Sequence, residues 1–291
     1  MLVSMLTNVT SNRFNSDEYA IRMIKDAGFD AFDIGLEGTI RNDSLPYEYK
    51  IDVPNYREKA AALRQLSQEL NIPCCSAHGP CKTGHKDKDI YEHMFQQTVR
   101  HLEYAAIVGA KAIVVHPIHI MKHYAHREEQ MQLNIDMYRR LAAYAKDFGI
   151  KVAAENLIER NPEGVYVPAV CGTAEEFCRI ADVDPDWITV CLDIGHSACA
   201  GVDVPSLIRE LGKERIYMLH VHDNDLKRDQ HLMPYQGDAN FKEIIQALRD
   251  IRFDGILDVE VDLGRFPNEL FPPAAKMMCA VGNYLKNQIQ A

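Results

Sequence analysis

The sequence predicts a single closed (β/α)8 barrel, a TIM barrel, running through residues 1–291 with its site at the carboxyl-terminal ends of the strands. Three observations carry that expectation. Short apolar runs rich in β-branched residues alternate eight times with helix-like segments. The runs are apolar throughout, as in parallel strands buried on both faces. Metal-type polar side chains follow the runs directly, at the end where such barrels carry their functional groups.

The first run, 3–6, precedes a helix over about 16–27 that stops at Gly28. A second run, 30–34, leads to a helix over about 56–70 with Ala60, Leu63, Leu66 and Leu70 on one face. The third run, 73–77, is followed by a helix over about 90–108, stopped at Gly109. The fourth, 112–115, is followed by one over about 127–148, stopped at Gly149. After the fifth run, 151–154, Thr173 caps a helix through about Ala181, with Glu176 at capping-box spacing. The sixth, seventh and eighth runs, 188–192, 216–219 and 256–259, precede helices near 205–211, 241–251 and 273–285. Eight units without a Gly-x-Gly-x-x-Gly after the first run, and without a Pro/Gly/Ser-rich linker, favour one closed barrel over an open sheet or two domains. The loops at 36–54, 80–88 and 118–126 are irregular, and the last carries His119, His123, Tyr124 and His126.

A length of 291 residues suits one such barrel, which typically needs about 250. Hydrophobic residues at 47% and charged residues at 25% are ordinary for a soluble globular chain. The net charge of −10 argues against a polyanion-binding surface, so no nucleic-acid partner is expected. The eight cysteines form no Cys-x-x-Cys pair and sit mostly in apolar segments, which points to reduced thiols in a cytoplasmic protein. No signal peptide is expected, since the first residues lack a basic segment and a long apolar run. No stretch reaches the ~18 apolar residues of a membrane helix, so no membrane partner is expected either.

The chemistry collects at the run ends. The third ends in Ser76-Ala77-His78, the fourth in Val115-His116, the fifth in Ala154-Glu155-Asn156 and the sixth in Leu192-Asp193-Ile194-Gly195-His196. The seventh ends in Leu219-His220-Val221-His222-Asp223 and continues to Asp229 and His231; the eighth ends in Val259-Glu260. A lone histidine or glutamate in such a place is ordinarily structural. Several convergent carboxylates are not, because buried and unpaired they are costly and repel one another, and a divalent cation is the simplest compensation. Carboxylate and imidazole ligands suit Mn²⁺, Zn²⁺, Co²⁺ or Fe²⁺ better than Ca²⁺ or a thiolate-type site. The ligand set is therefore Glu155, Asp193, Glu260 and one histidine of the seventh run. His220 and His222 lie two apart and face the same side of an extended strand, so either serves.

At these residues the sequence resembles the sugar phosphate isomerase/epimerase superfamily with a xylose isomerase-like TIM barrel, which includes endonuclease IV. The resemblance covers essentially the whole chain. It implies one divalent ion, Mn²⁺ before Zn²⁺ or Co²⁺, held by Glu155, Asp193, His220 and Glu260. It implies catalysis by Glu155 and Glu260 as acid and base on a sugar or sugar phosphate, by proton abstraction beside a carbonyl through a metal-stabilised enediolate. His78, His116, His196, His222, Arg228, Asp229 and His231 are the substrate-binding candidates.

The resemblance also carries alternatives. An endonuclease IV-like zinc phosphodiesterase on abasic DNA uses three ions, and each of its ligand types has a counterpart here, with Asp229-x-His231 the pair that fits a one-metal epimerase least. A metal-dependent lyase or dehydratase of keto-sugars is the other. Apolar positions in the terminal helix permit a homo-oligomer.

Overall fold

Eight short strands make up one parallel sheet: β1 (Leu2–Met5), β2 (Phe32–Gly35), β3 (Cys74–His78), β4 (Ala112–Val115), β5 (Lys151–Glu155), β8 (Ile188–Asp193), β9 (Ile216–Val221) and β10 (Ile256–Val259). A separate antiparallel hairpin pairs β6 (Ile158–Arg160) with β7 (Tyr166–Pro168). In the computed structural model, which describes residues 1–37 and 51–291, the sheet order is β1-β10-β9-β8-β5-β4-β3-β2. The ring closes between β1 and β2 through a parallel bridge from Leu6 to Asp33. The Thr7 N–H also donates to the Asp33 carbonyl at 2.9 Å, and Thr7 Oγ1 accepts from the Gly35 N–H at 2.8 Å. This is the (β/α)8 barrel the strand–helix alternation predicts. Most of the loop at 36–54 lies outside the described residues.

The helices between the strands are α1 (Asn8–Phe14), α2 (Asp17–Ala27), α3 (Tyr56–Leu70), α4 (Lys88–Val108), α5 (Arg127–Phe148), α6 (Ala174–Ala181), α7 (Ile194–Cys199), α8 (Val204–Leu211), α9 (Phe241–Asp250) and α10 (Phe271–Gln290). Their apolar faces pack on the outside of the strands, with side chains such as Ile21, Ile24, Leu102, Leu141, Phe177 and Leu248 buried there. Burial of each such side chain stabilises the fold by roughly 1.5–3 kcal/mol. Among the described residues no helix is long and apolar enough to cross a membrane. Helix α1, α7 and the hairpin were not legible as periodic segments: α1 spans seven mostly polar residues, and each hairpin strand has three.

The interior of the barrel is layered. Cys75, Val114, Ala153, Cys191, Met218 and Ile256 form an apolar plug. Above it the side chains turn polar: Ser4, Asp258 and His220 stand in register on β1, β10 and β9, and all are fully buried. The open, polar end of the barrel is therefore the end where the strands finish.

Two devices hold the surrounding loops in place. Gln130, Asn134 and Tyr138 recur every fourth residue on α5, so they share one face. From that face Tyr138 donates to the Val115 carbonyl at 2.6 Å, Asn134 accepts from the Ile118 N–H at 2.6 Å, and Gln130 accepts from the Ile120 and Met121 N–H groups at 3.1 Å. The segment on either side of His116 is thus pinned to the helix.

The second device is Asp223, buried just after β9. Its Oδ1 accepts from the N–H of Asn224 (2.8 Å) and Ala239 (3.1 Å), and its Oδ2 from those of Tyr235 (3.0 Å) and Gly237 (2.9 Å). A Cβ on Gly237 would collide with the Asn224 carbonyl and the Asp223 carboxylate, so only glycine lets the backbone approach this closely. One carboxylate therefore fixes the loop that carries Asp229 and His231. Hydrogen bonds to a charged group contribute about 1.5–3 kcal/mol each. Asp223→Ala is expected to cost about 3 kcal/mol or more in urea unfolding, and a loss under about 1 kcal/mol would show that the loop is held by other contacts.

Candidate metal centre

The side chains at the strand ends meet at a cavity of about 270 Å³ that opens to solvent. His220 is fully buried, and its Nδ1 lies 3.1 Å from Glu155 Oε1, 3.6 Å from Glu260 Oε1 and 3.9 Å from Asp193 Oδ2. These four residues come from β9, β5, the end of β10 and β8. Asn156 orients its neighbours: its side-chain oxygen accepts from the Asp193 N–H at 2.8 Å, and its amide donates to the Asp193 carbonyl at 3.0 Å.

Two further groupings flank this set. On one side His196, His222, Asp229 and His231 bring ligand-type atoms within 4.8 Å of one another. There His222 Nε2 sits 3.1 Å from Asp193 Oδ1 and its ring stacks on His231 at 3.8 Å. Asp229 lies 3.4 Å from both His196 and His231. On the other side His78, Cys81 and His116 converge, with His116 Nε2 3.0 Å and His78 Nε2 3.5 Å from Glu155 Oε2. Gly195 makes the first grouping fit, since a Cβ there would fall inside the His222 ring.

The sequence-predicted residues Glu155, Asp193, His220, Glu260, His78, His116, His196, His222, Asp229 and His231 thus occupy one continuous site. Arg228 stands apart. Its guanidinium is engaged by Asp225 Oδ2 at 2.9 and 2.6 Å, and the residue lines a neighbouring, wider cavity. Two participants were not singled out from the sequence: Glu37, 2.6 Å from His78 Nδ1, and Cys81. Only the His-Gly-Pro-Cys proximity to a strand end hinted at the second. The loop bearing His119 and His123 is fastened down beside the site, with His119 3.1 Å from Glu159 and His123 2.9 Å from Glu176.

Electrostatics in the cluster are dominated by the demand for positive charge. Burial works to keep Glu155 protonated, but His220 and His116 overcome it and hold its carboxyl well below the usual range. Burial likewise opposes Asp193, which His196 and His222 nevertheless bring down to about 2. The histidines respond in kind. Against burial, Asp193 and Asp229 raise His196 to about 10, and Asp229 and Glu260 raise His231 to about 9. Protons on these two imidazoles offset the carboxylate charge beside them.

The sign of the resulting pH dependence follows. Both imidazoles hold protons more tightly folded than unfolded, so their stabilisation is complete below about 6.5 and is lost as pH rises through about 9 and 10. Chelator-treated protein should therefore melt at progressively lower temperature across that window, and His196→Gln and His231→Gln should flatten the decline. An undiminished decline in both variants would assign it to other groups.

A model of the xylose isomerase-like TIM barrel matches residues 21–280. An uncharacterized protein of Methanocaldococcus jannaschii is 26% identical over 245 residues, covering 83% of this chain and 78% of its own length. An inosose dehydratase of Clostridium perfringens is 24% identical over 202 residues, covering 59% of this chain and 64% of its own. Among solved structures, a D-tagatose 3-epimerase-like protein superposes with a TM-score of 0.74 at 20% identity, over 100% of both chains. The IOLI protein with a bound zinc atom superposes with a TM-score of 0.72 at 17% identity, over 99% of this chain and 98% of its own. The structural likenesses establish the fold, and the match over 21–280 establishes the kinship: the chain belongs to the xylose isomerase-like TIM barrel family.

Proposed function

We propose that the chain is a divalent-metal-dependent sugar isomerase or epimerase, acting as one domain across residues 1–291. The observation that carries this reading is the convergence of Glu155, Glu260 and Asp193 on one ring nitrogen of His220, at 3.1, 3.6 and 3.9 Å. Three buried carboxylates this close repel one another, and Glu260 Oε1 has no hydrogen-bond partner among the described residues. Oxygen and imidazole donors suit Mn²⁺, with Zn²⁺ or Co²⁺ as alternatives, and Glu155, Asp193, His220 and Glu260 would hold it. The zinc of the IOLI structure supports a metal, and the D-tagatose 3-epimerase likeness and the inosose dehydratase relative support a sugar-type substrate.

When bound, a divalent ion supplies Lewis acidity that offsets negative charge developing on the sugar oxygens. The chain's own part is proton transfer. Glu155 and Glu260 border the same imidazole, so one carboxylate takes the proton from the carbon beside the carbonyl and the other delivers a proton. Delivery to the same carbon from the opposite face inverts it; delivery to the neighbouring carbon moves the carbonyl. His78, His116 and His196 line the cavity and orient the sugar's hydroxyl groups by hydrogen bonding. A dehydratase shares the first abstraction and differs in expelling water afterwards.

A second reading rests on the two flanking ligand groups, which offer places for further ions, as a three-zinc phosphodiesterase needs. The net charge of −10 weighs against a DNA substrate.

The test is metal-dependent proton exchange. Ketoses incubated with the metal-loaded protein in D₂O are expected to gain deuterium beside the carbonyl. Glu155→Gln and Glu260→Gln are each expected to slow this by about 10²-fold or more while leaving the protein folded, as judged by circular dichroism. Cleavage of abasic DNA, with no exchange on any ketose or ketose phosphate, would reverse the ranking. For the ligand, His220→Ala is expected to lower bound metal, measured by elemental analysis, more than His222→Ala; the opposite order moves the ligand to His222.

A further inference from the structure

Asn8, the first residue of α1, is 7% exposed, and neither its Oδ1 nor its Nδ2 has a hydrogen-bond partner among the described residues. Buried side-chain amides are nearly always paired, because an unpaired one gives up water without replacement. The position of this amide is set by Gly35 on β2. Gly35 stands in register with His78 on β3, and a Cβ built on it would fall on the Asn8 amide. Registered residues of neighbouring strands face the same side of a sheet, and the His78 ring faces inward, beside Glu155 and the His220 ring. The side chain that Gly35 lacks would also face inward. The Asn8 amide therefore lies inside the bore, in the space that glycine leaves open.

The chain on either side ties this amide to the site. Leu6 and Val9, which bracket Asn8, line the central cavity, and so do His78 and Glu37. Glu37 follows Gly35 by two residues, and its carboxylate stands 2.6 Å from His78 Nδ1. In the ring of eight strands β1 and β5 lie four places apart, so Asn8 belongs to the wall opposite Glu155. A ligand that satisfies the amide must both donate and accept. An oxyanion has no proton for Oδ1 and would meet the Glu37 carboxylate; a cation would leave Nδ2 unpaired. Hydroxyl groups do both.

We propose that Asn8 is a specificity-determining residue whose carboxamide takes two adjacent hydroxyls of the substrate sugar, one donating to Oδ1 and the other accepting from Nδ2. The directions of adjacent hydroxyls depend on the configuration at their carbons, so such an amide distinguishes stereoisomers of one sugar: the wrong isomer leaves a buried polar group unpaired. The proposal rests on the sugar reading of the metal cluster, and the experiment separates the two.

Dissociation constants for D-fructose, D-psicose, D-tagatose and D-sorbose, which differ only in configuration at the third and fourth carbons, are measured on metal-loaded protein. Titrations are read before the sugars interconvert, and deuterium exchange is followed in parallel. The wild-type affinities are expected to spread over about tenfold or more. Asn8→Leu, which keeps the volume and removes both bonding atoms, is expected to narrow the spread to about threefold or less by weakening the preferred sugar. Asn8→Ala is expected to do the same, which keeps the test decisive if leucine is not accommodated. Bound metal, by elemental analysis, is expected to stay unchanged in Asn8→Leu, and the urea midpoint to hold or rise, since the free protein's amide has no bond to lose. The proposal is overturned if none of the four sugars binds, if the wild-type affinities agree within about threefold, or if the spread survives in both variants. A lowered urea midpoint with an unchanged spread assigns the amide a structural role and also overturns it. A spread that depends on Asn8, without exchange on any of the four, upholds the contact and sinks the isomerase reading. Exchange with a spread indifferent to Asn8 does the reverse.

Discussion

The arrangement depends on negative charge concentrated in a place that water scarcely reaches. Glu155, Asp193 and Glu260 are brought together because β5, β8 and β10 all end at the same barrel mouth, and parallel pairing through β9 leaves their side chains no other direction. Each of these carboxylates is nearly or fully buried. Isolated, such groups would take up protons; here imidazoles surround them and hold Glu155 and Asp193 ionised. The remaining architecture serves that confrontation. An apolar plug closes the barrel below, the α5 side chains fix the segment around His116, and Asp223 fixes the loop bearing Asp229 and His231.

Deeper in the barrel the same charge problem has a different solution. Asp258, in register with His220, and Asp33 are both fully buried, with Ser4 donating to Asp258 at 2.5 Å. Burial pushes both carboxyls up, Asp33 to about 6 and Asp258 further, and Asp33 and Glu260 add to the rise at Asp258. Asp258, kept neutral by burial, adds no repulsion to its surroundings, whereas the ionised Glu155 and Asp193 are the ones next to histidines.

Much of this is legible in the sequence because the barrel places its functional residues immediately after apolar runs. His78, His116, Glu155, Asp193, His220 and Glu260 can each be read from a strand's last letters. The choice between His220 and His222 is not legible, since residues two apart share a side of a strand. Space separates them: His220 lies among three carboxylates, while His222 packs between Asp193 and the His231 ring. Arg228 was equally opaque, because its capture by Asp225 depends on a turn in which Leu226 takes a positive φ of 58°. Glu37 joins the site from β2, whose end carries no metal-type signature beyond that single glutamate. Helix α1 and the hairpin escaped for the simpler reason that short polar elements leave no period to count.

The central claim is that one divalent ion sits where Glu155, Asp193, His220 and Glu260 converge. Anomalous diffraction from crystals grown with Mn²⁺, recorded on both sides of the metal absorption edge, tests it most directly. The account predicts one dominant peak bounded by those four side chains. A dominant peak among His196, His222, Asp229 and His231, or three peaks of similar height across the groupings, would contradict it.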